Sequence, residues 1–183
     1  MCAGCIRSSR FSSLGHHRED RQGAVAFRPG SVTETPIPTR GEGGVPLIYE
    51  LLEHAADLGF RVRAGSLPEL FERAAEALVA IAIETGDIQT RESYPIQAEG
   101  DSSESLLVNW LSEVLYCLDG RRLAMARFHI DELTEARVTG EAFGESRDPS
   151  SHPGKLIVKG VTYHQLKIEH EERGWCCEVF LDV

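Results

Sequence analysis

After Gly120 the chain has little choice of local structure, because its apolar residues alternate with polar ones in one stretch after another. "MARFHIDEL" (125–133), "EARVTGEAF" (135–143), "LIVKGVTYHQLKIEHEE" (156–172) and "WCCEVFLDV" (175–183) all read as strands. Between the second and third, "GESRDPSSHPGK" is a loop full of breakers. Strands also open the ordered part. "LIYELLEH" has strand-forming residues, and in "FRVRAG" Phe60, Val62 and Ala64 share one face while Arg61 and Arg63 take the other.

Two segments have the period of a helix instead. Leu67, Leu70, Phe71, Ala74, Leu78 and Ile81 recur at helical spacing after Ser66, which can cap the helix, with Glu69 three residues on. Leu107, Trp110, Leu111, Val114, Leu115 and Leu118 form a second stripe. Asp101 is its predicted cap, with Glu104 at the capping-box position and Gly120 as its terminator. "SYPIQAEG" between the helices is a short strand, and Pro95 suits it to a sheet edge. The predicted order is β-β-α-β-α-β-β-β-β. Short connections favour antiparallel pairing, so the expected fold is a two-layer α+β domain: a largely antiparallel sheet with two amphipathic helices on one face.

Residues 1–45 are different in kind. They are rich in Arg, Gly, Ser, Thr and Pro, and their apolar residues follow neither period. The expectation is a disordered leader over 1–45 and one domain over 46–183. The leader holds six arginines and four acids; the remainder holds 13 basic and 25 acidic residues, a formal −12. Nucleic-acid binding rests on basic side chains that neutralise phosphates, so direct binding of nucleic acid is not expected, and an electrostatic partner should be basic. No apolar run approaches the ~18 residues of a membrane helix, so no membrane association is expected. The five cysteines (Cys2, Cys5, Cys117, Cys176, Cys177) are odd in number, and adjacent strand residues point to opposite faces. They read as free thiols in a reducing, cytoplasmic setting.

No phosphate-binding loop, dinucleotide fingerprint or nucleophile elbow is present. Neither His54, His129, His152, His164 nor His170 has metal-finger spacing; single histidines of this kind are usually hydrogen-bonded surface or strand residues. His54 and His164 are the two candidates among them. Two carboxylates carry more interest. Asp57 sits where the first strand gives way to the second. Asp182 is penultimate on an apolar strand, so the Val183 carboxylate is expected beside it. Two such anions repel unless solvated or bridged, and a hard divalent cation with oxygen ligands would relieve the repulsion.

"YELLEHAADLGFRVRAGSLPELFERAAEAL", "ESLLVNWLSEVLY", "KGVTYHQLKIE" and the terminal "VFLDV" resemble, in order and spacing, the motifs of the archease family. The resemblance covers about residues 47–183. It implies a cofactor protein of the RtcB-type RNA-splicing ligase. Such a protein promotes GTP-dependent loading of guanylate onto the ligase and its repeated turnover in tRNA splicing and RNA repair, and is not itself an enzyme. It also implies a divalent-cation site, assigned in the family to calcium, whose ligands here are Asp57, Asp182 and Val183, with Lys159 a further functional residue. Two departures stand out: Ala55 replaces the family's threonine, and "GESRDPSSH" lacks the basic residue before His152, for which Arg147 or Lys155 are the available replacements. The competing readings are a small metal-dependent phosphoesterase-like enzyme using the same carboxylates, and a chaperone-like protein-binding module.

Overall fold

The structure is a computed structural model that describes residues 49–53 and 58–183. The predicted leader, His54 and Asp57 lie outside the described residues. Seven strands and two helices follow the predicted order: β1 (Tyr49–Glu53), β2 (Leu58–Ala64), α1 (Leu67–Ala82), β3 (Glu92–Glu99), α2 (Ser103–Leu115), β4 (Leu123–Leu133), β5 (Arg137–Ser146), β6 (Gly160–Glu171) and β7 (Gly174–Asp182). The fold is α+β and every strand pair is antiparallel. The strands divide into two sheets, with orders β1-β2-β7-β6 and β3-β5-β4. Each helix touches both: α1 packs on β2, β7 and β4, and α2 on β6, β3 and β5.

The four-stranded sheet buries Phe60, Val62, Cys177, Val179 and Leu181. Its opposite face carries a ladder of charges, Glu50–Arg61–Glu178, with Arg61 Nη2 2.5 Å from Glu178 Oε1. Pairs this exposed contribute little stability, but like charges in their place would repel. In the smaller sheet β3 is an edge strand, as Pro95 requires, and β4 is the other edge. Two bulges interrupt β4, between Met125 and Arg127 and between Ile130 and Glu132. They break the flat hydrogen-bonding edge that would invite another chain. The second needs Gly140 opposite it, because a Cβ there would run into the His129 carbonyl.

Helix α1 starts as its sequence predicts. Ser66 Oγ accepts from the Glu69 N–H at 3.4 Å, while the Glu69 carboxylate reaches one residue further back, to the Gly65 N–H at 2.7 Å. Helix α2 is capped by Ser102, not Asp101. The Ser102 hydroxyl accepts from the Ser105 N–H at 3.1 Å, and the Ser105 hydroxyl accepts from the Ser102 N–H at 3.0 Å. A short hydroxyl thus closes the box in place of Glu104. The helix ends in one wide π-helical turn, Tyr116–Gly120. Among the described residues no helix is long and apolar enough to cross a membrane.

Candidate functional site

Strand β7 runs between β2 and β6, so its end is held from two sides. Val179 and Leu181 are buried toward the helices. Phe180 points the other way and is buried as well. Its ring lies against Gly59, where a Cβ would come within 2.8 Å of it. The glycine of "ADLGF" therefore has a packing reason: it leaves room for the Phe180 ring.

Beyond Leu181 the chain is exposed at both Asp182 and Val183. Asp182 pairs with Gly160 across the β6–β7 ladder. Lys159, just outside β6, makes two hydrogen bonds to the last two residues. Its backbone N–H donates to the Asp182 carbonyl at 2.7 Å, and its ammonium donates to the Val183 main-chain oxygen at 2.9 Å. Asp182, Val183 and Lys159, three of the residues nominated from sequence, are thus brought together. Asp57 lies outside the described residues, but Leu58, its neighbour in the chain, pairs with Leu181, the neighbour of Asp182. His54 is also outside them.

His164 stands on a break in β6. Thr162 pairs with Phe180 and Lys167 with Glu178, so Tyr163 to Leu166 face the single residue Val179. The turn is fixed locally: the His164 N–H donates to Thr162 Oγ1 at 3.1 Å, and Gln165 Nε2 lies 3.0 Å from His164 Nε2. Gln165 has φ 55°. The alternation of "KGVTYHQLKIE" changes phase at the adjacent polar residues His164 and Gln165, the one sequence signal of this bulge.

The loop departing from the family pattern is organised around a histidine that composition alone places on the surface. His152 is buried. Its Nδ1 accepts from the Asp148 N–H at 3.1 Å, and its Nε2 lies 3.4 Å from Glu145 Oε1. The two candidate replacements for the missing basic residue pair elsewhere: Arg147 Nη1 is 3.6 Å from Asp119 and Lys155 Nζ is 3.8 Å from Glu84.

Among the described residues no three His, Cys, Asp or Glu side chains are arranged to hold a metal ion. A cation at the end of β7 would need Asp57 and main-chain oxygen in addition to Asp182. Every donor in that set is oxygen, the chemistry of a hard ion such as calcium. The three described cysteines are unbridged, and burial pushes their thiols up, which makes them poor metal ligands and nucleophiles.

A profile of the archease protein family matches residues 49–183. The archease of Methanosarcina acetivorans is 36% identical over 139 residues, covering 74% of this chain and 95% of that protein. The archease of Pyrococcus abyssi is also 36% identical over 139 residues, covering 74% and 98%. The solution structure of Methanobacterium thermoautotrophicum protein 1598 superposes with a TM-score of 0.62 at 29% identity, covering 74% of this chain and 99% of that one.

Proposed function

The chain belongs to the archease family, and on that premise we propose that it is a non-catalytic activator of an RtcB-type RNA ligase in the cytoplasm. In this reading it promotes guanylylation of the ligase by GTP and lets the ligase turn over repeatedly in tRNA splicing and RNA repair. The observation that carries the reading is the extent of the family match, which spans the whole domain from β1 to Val183.

The activating surface in this proposal is the end of β7. Asp57, Asp182 and Val183 would hold one divalent cation, calcium by the hardness of its oxygen donors. Bound there, the ion would supply positive charge beside the Lys159 ammonium. What the chain itself contributes is placement. Buried Val179, Phe180 and Leu181 anchor the strand, and Lys159 fixes the last two residues from the β6 side.

The test is a guanylylation assay with purified ligase and GTP, with and without this protein at substoichiometric amounts. Stimulation beyond one ligase molecule per activator supports the proposal. The protein alone is assayed in parallel against phosphoesters, and hydrolysis there without stimulation of the ligase would replace the proposal with the metal-dependent enzyme reading.

A further inference from the structure

The β6–β7 ladder contains residues that it does not need. Pairing is in register at Thr162–Phe180 and again at Lys167–Glu178, with three surplus residues on the β6 side between them. Keeping them costs the fold something. Gln165 has φ 55°, a left-handed conformation about 1 kcal/mol or more above the extended one for a residue with a Cβ. Strain retained in a strand that could pair straight through points to what the segment presents. It presents Tyr163, 59% exposed, together with exposed His164 and Gln165. The His164 ring is held by its neighbour, with Gln165 Nε2 3.0 Å from His164 Nε2.

We infer that the Tyr163–Gln165 bulge is a protein-docking surface, and that its occupant is the RNA ligase of the proposed function. The inference rests on that reading and names where the partner is gripped. The bulge lies on an edge strand with all three side chains exposed, so it suits a protein surface better than a small ligand, which needs a concave site. An exposed aromatic ring with a polar tip, beside an imidazole and an amide that can hydrogen-bond, is the composition of an interface anchor. The formal −12 of residues 46–183 disfavours nucleic acid as occupant. The bulge and the carboxylate end also share one rim: Gly160, opposite Asp182, is three residues before Tyr163, or about 10 Å along a strand. A protein interface of about 800 Å² per partner is roughly 30 Å across. A partner that reaches Asp182 therefore covers the bulge as well.

The experiment measures the affinity of the full chain for purified ligase, its calcium titration and its thermal midpoint, for wild type, Tyr163→Ala, Tyr163→Phe and Tyr163→Ala/His164→Ala. Tyr163→Ala is expected to weaken ligase binding by about tenfold or more, the double variant further, and Tyr163→Phe to retain most of the affinity. Calcium binding and the thermal midpoint are expected to stay at wild-type values, because the ring is exposed. If the double variant binds ligase as tightly as wild type, the docking inference is wrong, and the proposed function stands provided wild type still stimulates guanylylation. If wild type neither binds nor stimulates the ligase, both fall. If the substitutions instead remove binding of a labelled tRNA fragment, the bulge is a nucleic-acid surface and the inference is overturned.

Discussion

Lys159 and Val183 are joined by one hydrogen bond, from the lysine ammonium to the main-chain oxygen at 2.9 Å, beside the exposed Asp182. One of the three proposed cation ligands thus already carries a positive partner. An ammonium and a divalent ion compete for the same oxygen, since both act through its partial negative charge. Lys159→Met is therefore expected to tighten calcium binding by about threefold. The thermal midpoint should move by no more than about 2 °C, because exposed ionic contacts contribute little to stability. Calorimetric titration checks the first and thermal melting the second; weaker calcium binding by the variant would show that the lysine supports the site rather than competing for it.

Asp182 separates function from folding in the same region. Its side chain is exposed at a strand end whose anchors are Val179, Phe180 and Leu181, so Asp182→Asn keeps the shape and removes the charge. Ligase stimulation is expected to fall by about tenfold or more, with calcium affinity falling alongside, since carboxylate charge sets affinity in oxygen-ligand sites. Urea unfolding should give an unchanged midpoint. A variant that stimulates normally would move the activating surface away from the end of β7.

Trp110 is where the two helices depend on one another. It is fully buried, donates from Nε1 to the Phe71 carbonyl of α1 at 3.2 Å, and meets Phe128 of β4 edge to face at 6.5 Å. Trp110→Ala is expected to cost about 3–5 kcal/mol through the cavity it leaves. Trp110→Phe keeps most of the volume, loses the hydrogen bond, and should cost about 1–2 kcal/mol. The two midpoints in urea order the contributions; equal losses would mean that the hydrogen bond, not the volume, holds the helices together.

The elements of this fold are legible because they are local. The alternation in "FRVRAG" and the stripe from Leu67 to Ile81 each determine which face goes inward, and both are read within a dozen residues. Pro95 even announces an edge. What the periodicity cannot carry is pairing across the chain. β2 lies beside β7, with Arg61 bonded to Glu178, 117 residues away, and no pattern inside either strand specifies that neighbour. The split into two sheets escapes notice for the same reason. The cap of α2 is missed by one residue, because Asp101 and Ser102 are both good caps, and it is the Ser102 hydroxyl that accepts from the Ser105 N–H. At the candidate site the carboxylates stand out by charge and position. The bulge at Tyr163–Leu166 leaves one trace, the adjacent polar pair His164–Gln165 at which the apolar positions change phase from Val161 and Tyr163 to Leu166 and Ile168, but that slip fixes neither the number of surplus residues nor the partner strand. His152 is hidden by its loop of breakers, where composition predicts exposure and the Asp148 and Glu145 contacts produce burial.

Cys177 gives the core a signature at alkaline pH. It sits on the buried face opposite Val62, and burial pushes its thiol up from 9.0 to about 12, with Cys176 beside it adding to the effect. Below pH 9 the thiol is protonated in both the folded and the unfolded chain, so it adds no pH dependence. Between about pH 9 and 12 the unfolded chain releases the proton while the folded chain retains it. The unfolded state then binds fewer protons, and stability falls as pH rises. Tyr94, raised to about 12 by its hydrogen bond to Glu92, adds a slope of the same sign, as do the other buried thiols. Those contributions are common to wild type and Cys177→Ala, so the difference between the two isolates one residue. Cys177→Ala is expected to start below wild type at pH 7, by about 1–2 kcal/mol for the lost sulfur and its cavity. Its stability should then decline more slowly from pH 9 upward, so that the two curves meet near pH 10 and cross above it. Urea unfolding at unit pH intervals measures both. Curves that stay parallel would show that the thiol ionises as readily in the folded chain as in the unfolded one, and that water reaches this face of β7.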